Sequence, residues 1–106
     1  MFARNVSIHL KSNMLSDYTR TFEKDILPLL RKQNGFRDEI TFASPGGVDV
    51  TAISLWENKT DAEAYNTNTY PEVLNTMARF IDGTPKVQNS DVVTSTCHKI
   101  AVHATA

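Results

Sequence analysis

Four aromatic and amide side chains of the sequence are of types that can bind a ligand. They lie on two predicted strands and on the predicted helix that follows the second of these strands. Trp56 closes a predicted strand, and Tyr65 and Tyr70 follow on a predicted helix. Trp56 can line a pocket for a flat hydrophobic ligand or fill the core, and the tyrosine hydroxyls can point into a cleft or to solvent. Asn5, in the first strand, can hydrogen-bond a ligand oxygen or satisfy nearby backbone groups.

Histidine and aspartate supply the candidate proton carriers. His9 and His98 can exchange protons near neutral pH, because an unperturbed imidazole has a pKa of about 6.5. Neither has a carboxylate partner adjacent in sequence, so a structural or interface role remains open for both. Asp38 falls on the apolar side of a predicted strand, where it is either a base with a raised pKa or a strand-end residue that reaches water.

Spacing argues against several other kinds of site. The three histidines and the single cysteine form no C-x-x-C or H-x-x-x-H pattern, so neither a metal nor another cofactor is predicted. The sequence has no glycine-rich phosphate loop and no G-x-S-x-G motif, and Gly46-Gly47 is typical of a hairpin turn. Cys97, within a predicted strand, is expected to be inert.

Composition predicts a single globular domain over residues 1–106, with 41% hydrophobic residues. The 11 basic and 12 acidic residues are dispersed and give a net charge of -1, so neither nucleic acid nor an anionic membrane is an expected partner. No signal-like segment opens the chain, and no apolar run approaches the ~20 residues of a membrane span. One cysteine excludes an intrachain disulfide and fits a reducing compartment. A cytoplasmic protein is therefore expected.

Hydrophobic periodicity predicts the element order β-α-β-β-α-β. The predicted strands cover 3–10, 36–44, 48–57 and a segment within 87–103, and the predicted helices cover 14–34 and 60–81. The last strand is predicted to carry Val92, Thr94, Thr96, His98, Ile100 and Val102 on one face. This order is typical of the ferredoxin-like α+β fold, with a four-stranded antiparallel sheet and both helical segments on one side.

Turn and capping residues predict where the helices bend, stop and restart. Pro28 predicts a kink in the first helix, and Gly35 predicts its left-handed end. Thr60 and Glu63 form a predicted capping box for the second helix, which Pro71 restarts.

The strand over 48–57 has two largely apolar faces. Val50, Ala52 and Trp56 lie on one face, and Ile53 and Leu55 lie on the other. Two helices cover only one face of a four-stranded sheet, so the other face would leave a large apolar patch exposed. A second copy related by a two-fold axis would bury that patch. A homodimer that forms a dimeric α+β barrel is therefore predicted.

Four segments, taken in order, resemble the antibiotic biosynthesis monooxygenase domain family. They are LPLLRKQNGF at 27–36, LWENKTDAEAY at 55–65, TYPEVLNTMARFIDGTPKV at 69–87 and STCHKIA at 95–101. The resemblance covers nearly the whole chain and implies a dimeric ferredoxin-like barrel. In this family some members oxidise polycyclic phenols to quinones with dioxygen and neither metal nor flavin, others bind and cleave heme, and others have no known substrate.

The resemblance also implies a pocket between the helices and the helix-facing side of the sheet. Trp56 matches the tryptophan that closes the third strand in phenol-oxidising members. Asn5 matches a first-strand asparagine of heme-degrading members, and Tyr65 aligns with their second-helix tryptophan. Asn75 stands near the position of their heme-ligating histidine, and since an amide is a poor iron ligand, heme degradation is not expected.

Two functions are therefore predicted. The first is a cofactor-independent monooxygenase that acts on a small hydrophobic aromatic compound of the phenol or anthrone type. Its predicted catalytic residues are Asn5, Trp56, Tyr65 and His98. The second is a non-catalytic dimeric barrel that binds a small hydrophobic ligand or serves in a stress response. The sequence does not identify the substrate.

Overall fold

The elements follow the predicted order along the chain, in a computed structural model that describes residues 1–100. The strands are β1 (Phe2–His9), β2 (Phe36–Ala43), β3 (Asp49–Trp56) and β4 (Lys86–Asp91). The helices are α1 (Leu15–Thr21), α2 (Leu27–Arg31), α3 (Lys59–Asn68) and α4 (Tyr70–Met77). A π-helical turn (Phe22–Ile26) joins α1 to α2, and a 3-10 turn (Ala78–Phe80) follows α4.

The four strands form one antiparallel sheet in the order β2-β3-β1-β4. Along the two central strands, every second side chain is buried against the helices. These buried residues are Phe2, Arg4, Val6 and Ile8 on β1 and Val50, Ala52, Ser54 and Trp56 on β3. The helices therefore cover one face of the sheet, and the predicted ferredoxin-like α+β fold is confirmed. Within residues 1–100, no helix is both long enough and apolar enough to cross a bilayer.

The opposite side of the sheet, which we name the open face, carries apolar side chains and has no helix packed on it within residues 1–100. Ile53 pairs with Ile40 on one side and with Asn5 on the other. Ile40 is 51% exposed and Phe42 is 53% exposed. The predicted division of β3 into two apolar faces is thus observed. By register the open face includes Ala3, Asn5, Ile40, Phe42, Ile53 and Leu55, together with the polar residues Ser7, Asp38 and Thr51.

A β-bulge interrupts the alternation of β2 at its start. The register with β3 shifts between Phe36 and Asp38, which leaves Arg37 as the extra residue. Phe36 therefore packs on Trp56 on the helix side, whereas Ile40 lies on the open face. Simple alternation places Phe36 on the same face as Asp38, Ile40 and Phe42. That placement is wrong for Phe36 alone, because period-two counting has no place for the extra residue.

The first helical segment passes Pro28 without breaking. Pro28 has no N–H to donate, so an unmodified α-helix would leave a carbonyl of the preceding turn without its partner. The π-helical turn widens the helix just before this point, and the N–H of Leu27 donates to the carbonyl of Phe22, five residues earlier. The predicted distortion is present and takes the form of a π-helical turn.

The second helical segment begins earlier than its predicted capping box. The side chain of Asn58 accepts a hydrogen bond from the backbone N–H of Asp61, so Asn58, and not Thr60, caps α3. α3 ends at Asn68, and Pro71 stands in the first turn of α4. The restart predicted at Pro71 is confirmed.

The last strand is shorter than predicted. β4 ends at Asp91, which pairs with Phe2, and the N–H of Val92 donates to the carbonyl of Met1. Residues 92–100 belong to no strand. His98 consequently lies outside any strand. Val102, the last residue of the predicted face, is outside the residues that the structure describes.

The start of β2 lies so close to the start of α3 that only glycine, which has no Cβ, fits at position 35 without a neighbouring side chain moving. The φ of Gly35 is +75°, and a Cβ built on this residue would lie 2.1 Å from Oδ2 of Asp61. We expect Gly35→Ala to lower the free energy of unfolding by about 1–3 kcal/mol, because alanine adds left-handed strain and forces Asp61 to move.

Urea denaturation of two matched glycine variants separates these causes. Gly83 also has a positive φ (+81°), but nothing lies within 4 Å of its added Cβ, and Gly46 has neither feature. Gly83→Ala should therefore lose only the strain contribution, and Gly46→Ala should be nearly neutral. Equal midpoints for Gly35→Ala and Gly46→Ala would contradict this account.

Candidate functional site

A pocket opens between the helices and the covered side of the sheet, where the family resemblance implies one. Its floor is formed by β1, β2 and β3, and its walls come from the first helical segment and from α3 and α4. The cavity has a volume of about 50 Å³, and its mouth is open to solvent. The site is therefore narrow, and a ligand larger than a single ring requires side chains to move.

Arg4 places a buried positive charge in this pocket. Its residue exposure is 3%. The guanidinium carbon lies 5.0 Å from the ring centroid of Tyr65 and 4.4 Å from that of Tyr70, and Nη2 donates to Oδ1 of Asn66 at 2.9 Å. Among residues 1–100, no carboxylate forms an ion pair with Arg4. The π faces and the amide stabilise the cation in part, and an anionic ligand would supply the missing counter-charge.

Three tyrosines surround the pocket and stay protonated at physiological pH. Burial raises the pKa of Tyr65 to about 12, and the nearby Arg4 opposes this shift. Burial also raises the pKa of Tyr70, again opposed by Arg4, and it raises the pKa of Tyr18. The tyrosine hydroxyls can therefore donate hydrogen bonds to a bound oxygen but are poor proton acceptors.

Glu39 is the acidic residue of the pocket. It lies on β2 directly opposite Ser54, which is in turn opposite Arg4 on β1. Its carboxylate accepts a hydrogen bond from the Thr41 hydroxyl at 2.6 Å. Burial raises the pKa of Glu39, and the hydrogen bond from Thr41 opposes this shift. A cation and a carboxylate thus line the same pocket without forming an ion pair.

Trp56 lies behind the pocket and is not among its lining residues. It is 0% exposed, and its ring packs 5.0 Å from Tyr65 and 5.6 Å from Phe36, centroid to centroid. Its Nε1–H donates to the Ser54 hydroxyl at 2.9 Å. The sequence left open whether Trp56 lines a pocket or fills the core, and this placement agrees with a core residue. Trp56 supports Tyr65, the only one of the four predicted catalytic residues that lines the pocket.

Asn5 and His98 are not brought to the pocket. Asn5 lies on the open face, across the sheet from the helices. The imidazole of His98 contacts the carboxylate of Asp38 on β2, although β4, which precedes it, is at the opposite edge of the sheet. The segment from Val92 to His98 therefore crosses the width of the sheet. Catalytic roles for Asn5 and His98 stay predictions.

His9 also has a carboxylate partner that sequence adjacency does not reveal. Its Nδ1 lies 2.9 Å from Oδ1 of Asp49 on the neighbouring strand, and both side chains are exposed. By register this pair lies on the same side of the sheet as Asn5 and Ile53, which is the open face. Among the described residues 1–100, no group of three or more His, Cys, Asp or Glu side chains is arranged to hold a metal ion.

Sequence reasoning missed Arg4 and Glu39, the two charged residues of the pocket. Arg4 carried a usable signal, because it is in phase with Phe2, Val6 and Ile8 on the buried face of β1. A charged residue within such a pattern indicates a buried charge with a specific role. Glu39 carried no such signal, since simple alternation places it with the polar side of β2.

Solved structures share this fold, although no protein-family model and no curated protein matches the chain. A monooxygenase from Streptomyces coelicolor, in complex with nanaomycin D, gives a TM-score of 0.76 at 15% identity, covering 89% of this chain and 88% of that chain. A proposed antibiotic biosynthesis monooxygenase from Bordetella bronchiseptica gives 0.74 at 14% identity, covering 88% and 97%. Another from Nitrosomonas europaea gives 0.72 at 14% identity, covering 89% and 100%. At such identities the likeness establishes the fold, and function has to be argued from the site.

Proposed function

We propose that this chain, which has the fold of the antibiotic biosynthesis monooxygenases, is a cofactor-independent oxidoreductase for a small hydroxylated aromatic compound. The observation that carries the proposal is the buried guanidinium of Arg4, which lies over Tyr65 and Tyr70 and has no carboxylate partner within residues 1–100. An aromatic anion satisfies this environment, because its ring packs on the tyrosines while its charge pairs with the cation.

The proposed reaction uses the electrons of the substrate itself. A phenol with a free para position reacts with dioxygen to give a quinone and water, so one oxygen atom enters the ring and the other leaves as water. The phenolate is the electron-rich form that dioxygen oxidises. The role of the protein is to bind that anion in a pocket from which bulk water is largely excluded. Arg4 stabilises the phenolate oxygen, and Tyr65 and Tyr70 orient the ring.

The proposal includes a homodimer in which two open faces pack together. Ile40, Phe42, Ile53 and Leu55 supply the apolar side chains of this face. Two sheets packed face to face lie about 10 Å apart, which brings such side chains into contact. The pocket is on the other side of the sheet, so each subunit would keep its own site.

The test is aerobic incubation of the protein with a series of one-ring and two-ring phenols, followed by oxygen consumption and quinone absorbance. We expect turnover that requires the protein, and we expect Arg4→Met to reduce it about 10²–10³-fold, because one preorganised contact to the developing charge is lost. Arg4→Met should fold, since replacing a buried ion by an apolar side chain of similar size is often tolerated. Arg20→Met, at an exposed position of α1, is the matched control and should keep full activity.

Oxidation no faster than with an unrelated protein, across the whole phenol series, would overturn the oxidoreductase proposal. The second predicted function, ligand binding without catalysis, gives a different result in the same samples. In that case, phenols would quench the fluorescence of Trp56 through its contact with Tyr65 without consuming oxygen.

A further inference from the structure

The bulge at Arg37 aims the carboxylate of Glu39 into the helix-covered side of the sheet. Without the extra residue, alternation from Phe36 would place Glu39 on the open face. Bulges of this kind are found next to active sites, where they redirect a side chain. Half-burying a carboxylate without an ion-pair partner in residues 1–100 is unfavourable, so its position calls for a compensating role.

Glu39 also stands at the junction of two cavities. It lines the inner pocket together with Arg4, and it lines an outer groove between the first helical segment and the edge strand β2. Tyr18 and Phe22 line both cavities, and Glu23 lies only on the outer groove. A proton that reaches Glu39 from the inner pocket therefore has a route to solvent through the groove.

Arg4 and Glu39 are held apart by the sheet. Both are register partners of Ser54, so their Cα atoms are two strand spacings apart, about 10 Å. Their side chains also turn to different partners, since Arg4 donates to Asn66 and Glu39 accepts from Thr41. The two charges therefore form no ion pair within residues 1–100, and both remain on the lining of the pocket.

From this geometry we infer that Glu39 is the catalytic base of the site, taking the hydroxyl proton of a neutral hydroxyaromatic ligand while Arg4 holds the resulting oxyanion. The inference rests on the proposed function and names its first step. The O–H bond of the ligand breaks, the proton bonds to a carboxylate oxygen of Glu39, and the electron pair stays on the ligand oxygen and is shared with the ring. The step needs no oxidant, and it produces the phenolate that dioxygen then oxidises.

The surroundings of Glu39 suit this step. The titratable and charged groups that face the pocket or groove around it are Tyr18 from α1, Glu23 from the π-helical turn, Tyr65 from α3, Tyr70 from α4 and Arg4 from β1. The buried tyrosines have raised pKa values and do not compete for the proton. Burial raises the pKa of Glu39 as well, which makes it a stronger base than an exposed glutamate.

The test follows the proton without requiring oxidation. The protein is titrated anaerobically with 4-cyanophenol, at a pH where Glu39 is ionised in the free protein and the probe is neutral in solution. The phenolate band reports ionisation of the bound probe, and calorimetry in two buffers of different ionisation enthalpy counts the protons released. For the unmodified protein we expect the phenolate band with almost no proton release, because Glu39 retains the proton.

Three variants complete the experiment. Glu39→Gln should bind the probe at least 10-fold more weakly, and any phenolate it forms should release one proton per ligand. Glu39→Asp should partly restore proton retention. Glu72→Gln, which removes the same charge at an exposed position of α4, should behave like the unmodified protein. Melting curves confirm that each variant is folded.

Three results would overturn the inference. They are release of one proton per bound phenolate by the unmodified protein, absence of a phenolate band at saturating probe, and identical behaviour of Glu39→Gln. Failure of the proposed function is a separate result, namely retained proton transfer without oxygen consumption once air is admitted.

Discussion

Ile53→Lys is expected to disrupt the proposed dimer, which should form at micromolar concentration, and to give an 11.9 kDa monomer or aggregates. Ile53 is at the centre of the open face, between Ile40 and Asn5. A lysine there would meet its own copy and apolar side chains across the two-fold axis, where an unpaired charge is costly. Size exclusion coupled to light scattering measures the mass directly.

Two controls locate the effect on the open face. Val50→Lys, on the same strand but 2% exposed and facing the helices, should unfold the subunit instead. Asn75→Lys, exposed on α4, should leave the dimer intact. A well-behaved monomer for the unmodified protein would refute the dimer, and with it the barrel. It would also leave unexplained why Ile40 and Phe42 are more than half exposed.

Trp56→Ala is expected to lower the free energy of unfolding by about 3–5 kcal/mol, the range found when a large buried aromatic is truncated. Trp56 is completely buried and contacts Phe36 and Tyr65 in the core beneath the pocket. The total stability of a domain is about 5–15 kcal/mol, so this variant should lose a large share of it and unfold at a clearly lower urea concentration. Urea denaturation followed by circular dichroism is suitable, since Trp56 is the only tryptophan available for fluorescence.

Trp56→Phe distinguishes a core role from a ligand contact. Phenylalanine keeps most of the packing but removes the Nε1–H that donates to Ser54, so we expect a loss beyond packing of about 1 kcal/mol. Phenol binding should persist in this variant, because Trp56 does not line the pocket. Loss of binding at unchanged stability would mean that Trp56 contacts the ligand after all.

Local patterns were sufficient to predict most of the fold. Strict alternation predicted both faces of β3, because successive side chains of a strand point to opposite faces and the helices cover only one of them. Proline and glycine predicted the restart at Pro71 and the positive φ of Gly35, since both depend on the backbone limits of one residue. These features depend on residues that are close together in the sequence, so they can be predicted without knowing the tertiary structure.

Tertiary structure alone decided the end of β4 and the composition of the site. β4 ends at Asp91, opposite Phe2 of β1, and no pattern within β4 records that limit. Glu39 faces the pocket because the pairing of β2 with β3 contains one extra residue, Arg37. After this bulge, each side chain of β2 lies on the opposite face from the one that simple alternation from Phe36 predicts. Arg4 and Glu39 line the same pocket because each pairs with Ser54, from opposite sides of β3. Sheet register relates residues that are far apart in the chain. Local periodicity therefore predicted the helices and strands, but it did not predict that Arg4 and Glu39 line the same pocket.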